Sequence, residues 1–324
     1  MTKRIVLILF LCVLLAACRT ALNTGTNLPA VIPSDTPEEI PTVLADSSPM
    51  VSPVSEEEEF QVITQPNALD ETKTDVLIRN TISGEEKLFI TLDNIYREHY
   101  HNGEYHGGNL YIIKRIGDPG AADAEWSDEL WRYDAQASGK MLISKKGLDF
   151  RAAPNETAIA IHYNETGGNL LAFINTNGDV LQEFKNVGGD YANSPQKWSD
   201  DGSIYWGALT MGPVPTSFYK VSVAAWQMSI YDLSQLKIGD EYDLNANTAS
   251  LVYSDYPVMF DADTAQNFKN SGKAVTLFFY DLNSHVKQII ATSITKAFKP
   301  SWLDDKTIEY DDPNGEGRVL FIFP

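Results

Sequence analysis

Short runs of apolar residues, or of alternating apolar and polar residues, recur throughout residues 60–324. The clearest runs are 88–92, 110–113, 159–163, 170–174, 274–280 and 319–323. They are bounded by Pro and by Asn-Gly, Asp-Gly and Gly-Gly pairs, which favour turns because these residues adopt the required backbone angles. No window of this region sustains the apolar period of about 3.6 residues that is typical of a helix. The pattern therefore predicts an all-β domain.

Two kinds of polar turn repeat along this domain. The first precedes a β-rich run and is centred on Asn155, Asp201 and Asp305, at intervals of 46 and 104 residues, the second interval being about twice the first. The second kind follows an aromatic or aliphatic strand. It ends at Asp134, Asn175, Asp232 and Asp281, at intervals of 41, 57 and 49 residues. Periods of about 40–50 residues with four short strands each are typical of β-propeller blades.

We expect a propeller of five blades. Six blades are the alternative if residues 60–92 contribute more than one strand, and a pair of β-sandwiches is a further alternative. The last repeat holds only three strands, at 297–302, 307–310 and 318–323. We therefore expect an N-terminal strand, at 60–63 or 76–78, to complete the last sheet and close the ring, because closure removes an exposed sheet edge.

The repeated turns resemble those of a known class of propellers. Trp198-Ser-Asp-Asp-Gly and Tyr231-Asp-Leu are similar to the repeats of TolB-like and WD40-like bacterial propellers, whose consensus is Trp-Ser-Pro-Asp-Gly. The resemblance covers most of residues 110–324. It implies a propeller fold and, as one alternative function, a subunit of envelope assembly.

The N-terminus has the pattern of an export signal. Lys3 and Arg4 precede an apolar run, 5–15, that is too short to span a bilayer as a stable helix. Leu15-Ala-Ala-Cys18 resembles the bacterial lipobox. That resemblance implies that residues 1–17 are a lipoprotein signal peptide and that Cys18 carries lipid, including palmitate. An ordinary signal peptide with an incidental cysteine is the alternative.

Residues 18–59 differ in composition from the domain that follows. They contain six prolines and eight acidic residues against one basic residue, and they show no apolar period. Such a segment cannot bury enough surface to offset the entropy of ordering, so we predict a disordered linker. The chain would then be held outside the cytoplasm by its lipid anchor. The anchor would lie in the outer membrane of a two-membrane cell, or in the outer face of the cell membrane in a one-membrane cell.

Charge limits the range of partners. The chain has 44 acidic and 25 basic residues, a formal charge of −19, and residues 60–324 have 36 and 22, a charge of −14. This surface repels phosphate backbones, so we expect no nucleic-acid partner. The chain's two cysteines cannot form a disulfide framework.

One segment concentrates residues that could contact a ligand. Three of the five histidines lie within eight residues, which identifies a candidate ligand loop consisting of His99, Tyr100, His101, Glu104 and His106. Imidazoles beside a carboxylate could hold zinc, and the polar turns 175–179 and 311–316 could hold calcium. Neither cluster has a complete ligand set, so we predict no metal and no cofactor. The long loops 93–108 and 208–218 would form the ligand site at the mouth of the channel.

No nucleophile elbow, phosphate loop, dinucleotide fingerprint or metalloprotease helix occurs in the sequence, and no catalytic residue is assigned. We therefore expect a binding module with an unknown protein or glycan ligand rather than an enzyme. A hydrolase of extracellular glycans on a five-bladed propeller is the enzymatic alternative, by analogy of fold alone.

Overall fold

The computed structural model describes residues 60–93, 99–117, 125–165, 168–188, 192–210, 212, 214–239, 241–257, 266–268, 270–294 and 297–324. Chain contacts separate residues 1–55 from residues 56–324, and all described residues belong to the second unit. Within these ranges, no helix has the length and apolar character needed to cross a membrane. The predicted signal peptide, Cys18 and the linker lie outside the described residues.

The described residues form twenty-two strands in six antiparallel sheets. The first sheet contains β1 (Phe60–Pro66), β2 (Lys73–Asn80) and β3 (Glu86–Asp93). The second contains β4 (His99–His106), β5 (Asn109–Ile116), β6 (Ser127–Tyr133) and β7 (Gly139–Lys145). The third contains β8 (Asp149–Ala152), β9 (Ile159–Glu165), β10 (Gly168–Ile174) and β11 (Val180–Lys185). The fourth contains β12 (Ala192–Trp198), β13 (Ile204–Thr210), β14 (Pro215–Ser222) and β15 (Gln227–Asp232). The fifth contains β16 (Tyr242–Asn245), β17 (Ser250–Ser254), β18 (Val275–Asp281) and β19 (Lys287–Ser293). The sixth contains β20 (Ser301–Trp302), β21 (Thr307–Asp311) and β22 (Arg318–Ile322).

Each sheet is built from consecutive strands, and each packs on the next. Five hydrophobic clusters join the first sheet to the second, the second to the third, and so on to the sixth. The first strand of a sheet lies beside the first strand of the next, as β4 lies beside β1 and β8. In a β-propeller the strands that meet their counterparts in adjacent sheets are the innermost ones, so these first strands face the centre of the propeller. The predicted β-propeller class is confirmed, and the described residues form six sheets, the number given as the alternative.

The expected closure of the last sheet by an early strand is wrong for both segments considered. Strands β1 and β2 pair with each other, with Val62 opposite Ile78, and β3 completes their sheet. The reason lies in the alternation of β2, whose Val76 and Ile78 are buried against Leu110 and Ile112 of the second sheet. Residues 60–93 therefore bury an apolar face of their own and form a separate sheet.

The first repeated turn has the position that its spacing predicted. The turns around Asn155, Asp201 and Asp305 join the first and second strands of the third, fourth and sixth sheets. They also bind one another, because Asn155 Nδ2 donates to Asp201 O at 2.5 Å. The fifth sheet supplies the equivalent turn, in which Asn247 Nδ2 donates to Asp200 Oδ2 at 2.6 Å and to Asp305 Oδ1 at 2.8 Å. Consecutive sheets are therefore joined by hydrogen bonds between their turns.

The second repeated turn is confirmed at three of its four positions. Asp134, Asn175 and Asp281 end the third strands of their sheets. Asp232 instead ends β15, the fourth strand of its sheet, and the third strand ends at Ser222. The Tyr-Asp-Leu pattern occurs at both places because its aspartate caps a turn in either position: Asp232 accepts Ser234 N, and Asp281 accepts Asn283 N.

Gly207 leaves room for a buried tyrosine. It lies opposite Tyr219 in the β13–β14 pair, and a Cβ at Gly207 would stand 2.0 Å from the Tyr219 hydroxyl oxygen. That hydroxyl lies 3.5 Å from Nε2 of the buried His162 on the third sheet. The glycine is therefore required by close packing between two sheets.

We predict that Gly207→Ala lowers the free energy of unfolding by about 1–3 kcal/mol, because the Tyr219 ring must move out of a packed core. Urea denaturation monitored by tryptophan fluorescence measures the change. In a Tyr219→Leu background the same substitution should cost clearly less, since the clash is absent. An equal cost in both backgrounds contradicts this explanation.

The carboxyl group of Asp201 is expected to make the stability of its turn depend on pH. Hydrogen bonds from the Ser199 hydroxyl, and then from the Ser203 backbone and hydroxyl, hold the pKa of Asp201 below its ordinary 3.8. A lowered folded-state pKa adds stability above the ordinary pKa, and this stability is lost as the pH falls through the folded value.

We therefore predict that the stability difference between wild type and Asp201→Asn is constant near neutral pH and shrinks as the pH falls below 3.8. Chemical denaturation as a function of pH measures it. A Ser199→Ala background, which lacks the principal donor, should flatten the dependence. A difference independent of pH in the wild-type background would show that the charge of Asp201 is not involved.

Candidate functional site

The predicted ligand loop is largely a strand at the centre of the ring. Residues 99–106 form β4, the first strand of the second sheet, rather than a loop that replaces a turn. Glu104 and His106 lie together, with Oε2 of Glu104 3.4 Å from Nε2 of His106. Tyr100 packs instead among apolar residues of the first two sheets, and its hydroxyl donates to Asp93 O at 3.1 Å. The side chains of His99 and His101 lie outside the described set.

The second predicted loop, 208–218, also belongs largely to strands. Its described residues continue β13 and β14, which pair as a hairpin from Ile204 and Ser222 to Thr210 and Pro215. They therefore form the ordinary link between the second and third strands of a sheet. Met211 and Pro213 lie outside the described residues.

Charged residues occur at equivalent positions on four consecutive first strands. Glu104, Arg151, Lys197 and Asp243 lie on β4, β8, β12 and β16 at intervals of 47, 46 and 46 residues. Arg151 Nη1 donates to Glu104 Oε1 at 3.0 Å, and Lys197 Nζ donates to Asp243 Oδ1 at 2.5 Å. We call these four residues the inner charge row. Its order is negative, positive, positive, negative.

Arg151 has the largest number of contacts in the inner charge row. Besides Glu104, its Nη1 lies 3.5 Å from Asn102 Oδ1 and donates to Phe150 O at 3.2 Å. Its Nε donates to Gln196 O at 3.3 Å. The side chain nevertheless stays 36% exposed. The guanidinium is thus held by several partners, and the side chain as a whole stays partly exposed.

Two bulges, one on each side of Arg151, create these contacts. The register of β4 shifts between His101 and Gly103, so Asn102 is the extra residue, with a positive φ of 49°. The register of β12 shifts between Pro195 and Lys197, so Gln196 is the extra residue there. A bulge redirects nearby groups and is common beside functional sites. Here the two extra residues supply polar oxygens to the same guanidinium.

The acidic members of the row also bind the edge of the next sheet. Glu104 Oε2 accepts Ala152 N at 2.7 Å, and Asp243 Oδ2 accepts Trp302 N at 2.9 Å. Indoles make the reverse connection, because Trp198 Nε1 donates to Arg151 O at 2.9 Å and Trp302 Nε1 to Asp243 O at 3.2 Å. These two tryptophans therefore join adjacent sheets.

A buried polar group lies behind the row. Tyr205 and His162 are joined by a hydrogen bond between Oη and Nε2 across the third and fourth sheets. Burial, and then the neighbouring Tyr219, raise the pKa of Tyr205 well above 10. Tyr205 therefore remains a neutral phenol at physiological pH and serves the packing of the two sheets.

The described residues contain no group of three or more His, Cys, Asp or Glu side chains arranged to hold a metal ion. The polar turns considered for calcium use their side chains locally. Asn175 Oδ1 accepts the N–H groups of Asn177 and Asp179, and Asp312 Oδ1 accepts Asn314 N at 2.8 Å. Their side-chain oxygens stabilise the turns themselves.

Sequence reasoning identified Glu104 and His106 but missed Arg151, Lys197 and Asp243. The available signal was the repeat, since adding 46 or 47 residues to Glu104 leads to each of them in turn. The bulges that place Asn102 and Gln196 against Arg151 have no comparable signal in the sequence.

Comparison with known proteins supports the fold and nothing narrower. No protein-family model and no curated protein matches the chain. Among solved structures, TolB from Acinetobacter baumannii shares 12% identity with a TM-score of 0.45 over 81% of this chain. The match spans 62% of that TolB chain, less than two thirds of its length.

Two lyases give slightly better superpositions. An oligogalacturonate lyase in complex with manganese shares 13% identity, with a TM-score of 0.50 over 79% of this chain and 75% of the lyase. An oligogalacturonate lyase from Vibrio parahaemolyticus shares 12%, with a TM-score of 0.50 over 78% and 74%. At such identities the chain is similar to these proteins in fold alone.

We predict that Glu104→Gln lowers the free energy of unfolding by about 1–3 kcal/mol, because a mostly buried carboxylate loses an ion pair and competes poorly for both donors. Urea denaturation measures the loss. Glu183→Gln, which breaks the exposed pair of Glu183 with Lys185 at 3.3 Å, is the control and should change stability much less. Equal losses would show that Glu104 does not join the second sheet to the third.

Proposed function

We propose that this protein is a lipid-anchored module outside the cytoplasm, whose propeller binds a ligand at the centre of the ring and does not catalyse a reaction. The observation that carries the proposal is the inner charge row. Its cations are fixed by neighbouring strands yet remain partly exposed, Arg151 by 36% and Lys197 by 46%. Polar groups preorganised on rigid strands lose little entropy on binding, which suits recognition.

The carboxylates of the row favour binding over hydrolysis. A glycan hydrolase needs two acidic groups free to exchange protons or attack the substrate. Glu104 and Asp243 are each engaged by a cation and by a backbone N–H of the next sheet. Either carboxylate would have to leave a contact between sheets in order to act, so we assign both to positioning.

The charge of the domain bears on what the ligand is. Residues 60–324 have a formal charge of −14, which disfavours glycans with several acidic groups, such as the oligogalacturonate that the two lyases are named for. We therefore favour a short glycan or a protein ligand. Envelope assembly, suggested by the TolB-like repeats, stays an alternative within the same binding function.

The anchor is proposed from the sequence. Residues 1–17, Cys18 and the acidic, proline-rich linker would hold the propeller at a membrane and away from its surface. Two or three acyl chains hold a protein durably, because each buried CH₂ contributes about 0.8 kcal/mol. The membrane would be the outer membrane in a two-membrane cell, or the cell membrane otherwise.

We predict that Cys18→Ala abolishes lipid attachment, since no other cysteine remains after cleavage. Expression in a bacterial host with alkyne-palmitate, followed by fluorophore coupling and fractionation, measures label and membrane retention. Cys12→Ala is the matched control and should keep both, because Cys12 lies in the removed segment. Labelled, membrane-bound Cys18→Ala protein would contradict the anchor.

A further inference from the structure

We propose that Arg151 and Lys197 together bind the carboxylate group of a small ligand at the centre of the ring. This inference rests on the proposed binding function and narrows it to a chemical class. It is carried by the order of charges in the inner charge row, the donors of Arg151, and the two bulges that hold it.

The two cations of the row are neighbours, whereas their acidic partners lie on the outer sides. Glu104 is on the strand before Arg151, and Asp243 is on the strand after Lys197. Arg151 Nε lies 3.3 Å from the carbonyl oxygen of Gln196, the residue immediately before Lys197. The two cations therefore lie on neighbouring first strands, with the Arg151 side chain against the residue that precedes Lys197.

Donors remain available on both cations. Within the described part of the chain, Nη2 of Arg151 makes no hydrogen bond, while Nη1 and Nε are engaged. Lys197 Nζ has one acceptor, Asp243 Oδ1, and three protons to donate. A carboxylate placed against Nη2 and Nζ would meet charge-assisted donors from both strands.

Asp149 is the acidic residue nearest to Arg151 along β8. Asp149 lies two residues before Arg151, and its Oδ1 accepts the amide of Asn102 and the backbone N–H of Phe150. These contacts direct it towards the second sheet. Gln196, on the other strand, contributes its carbonyl to Arg151.

The two bulges indicate that the Arg151 guanidinium is held in a particular orientation. Asn102 and Gln196 are each the extra residue of their strand, and each directs an oxygen at the same guanidinium. An arginine that served only to neutralise Glu104 would need one contact. Four fixed contacts on two of its nitrogens leave the third as the donor with a defined direction.

The surrounding charge limits the ligand to one carboxylate. Glu104 and Asp243 flank the cations, and the domain carries −14 overall, so each additional negative group on the ligand would be repelled. A small monocarboxylate is therefore the class that fits.

Titration of the purified full-length chain tests the proposal. Two acidic probes, N-acetylglycine and D-galacturonate, are compared with their neutral counterparts, N-acetylglycinamide and D-galactose, by NMR shifts of the ¹⁵N-labelled protein. We expect a saturable response to at least one acid and none to its neutral counterpart. A response to the amino-acid derivative alone indicates a peptide source, and a response to the sugar acid alone indicates a glycan source.

Variants assign the response to these residues. Arg151→Gln should weaken binding at least tenfold, about 1.4 kcal/mol. Lys197→Gln, at a more exposed position, should weaken it less and provides the test if Arg151→Gln fails to fold. Lys185→Gln removes the same charge from the outer strand of the same sheet as Arg151 and should leave binding unchanged.

Specific outcomes overturn the proposal. They are equal responses to acid and neutral probes, unchanged affinity in folded Arg151→Gln or Lys197→Gln, or no response up to about 50 mM of either acid. Because the purified chain needs no membrane, these outcomes are independent of the palmitate experiment. If the titration gives no binding while Cys18 is labelled with palmitate, the proposal of a lipid-anchored binding module stands and only its proposed ligand class is excluded.

Discussion

Contact between consecutive sheets is the constraint on which this structure depends. An antiparallel sheet must bury its apolar face against another element, and here each sheet of three or four strands buries apolar faces against its neighbours. The residues that meet are far apart in sequence. Hydrogen bonds between adjacent first strands join positions 45, 47, 48 and 59 residues apart.

The same contacts place the candidate site. Glu104 and Asp243 satisfy the backbone edge of the following sheet, and that role fixes where their negative charges lie. Arg151 is then oriented by Glu104 on one side and by the carbonyl of Gln196 on the other. In the proposed binding function, stability and recognition would therefore use the same residues.

The repeats keep the same turn chemistry even where their sequence pattern differs. Equivalent turns contain Asn155, Asp201, Asn247 and Asp305, and hydrogen bonds join each of these turns to the next. The turn at Asn247 takes part although it lacks the sequence pattern of the others. An aspartate or asparagine side chain can accept backbone N–H groups in any tight turn, so the chemistry persists where the pattern has changed. For the same reason Asp232, at the end of a fourth strand, caps its turn in the way that the repeated turns are capped after third strands.

Features that depend on near neighbours along the chain are predictable from the amino-acid sequence. Alternating apolar residues predicted the strands, and the polar turns at Asn155, Asp201 and Asp305 predicted the repeat and the propeller class, because strand period and turn geometry are local properties. Glu104 and His106 were singled out by local density of polar groups, and the structure brings them together.

The number of sheets, the pairing of residues 60–93 and the contacts of Arg151 depend instead on tertiary packing. From the sequence, the strand of Val76 and Ile78 could belong either to the last sheet or to a separate sheet. In the structure both side chains are buried against the second sheet, so the strand belongs to a separate first sheet. Asn102 and Gln196 reach Arg151 because bulges shift two strands by one residue. Such shifts depend on the fit of whole sheets, which no short window of sequence contains.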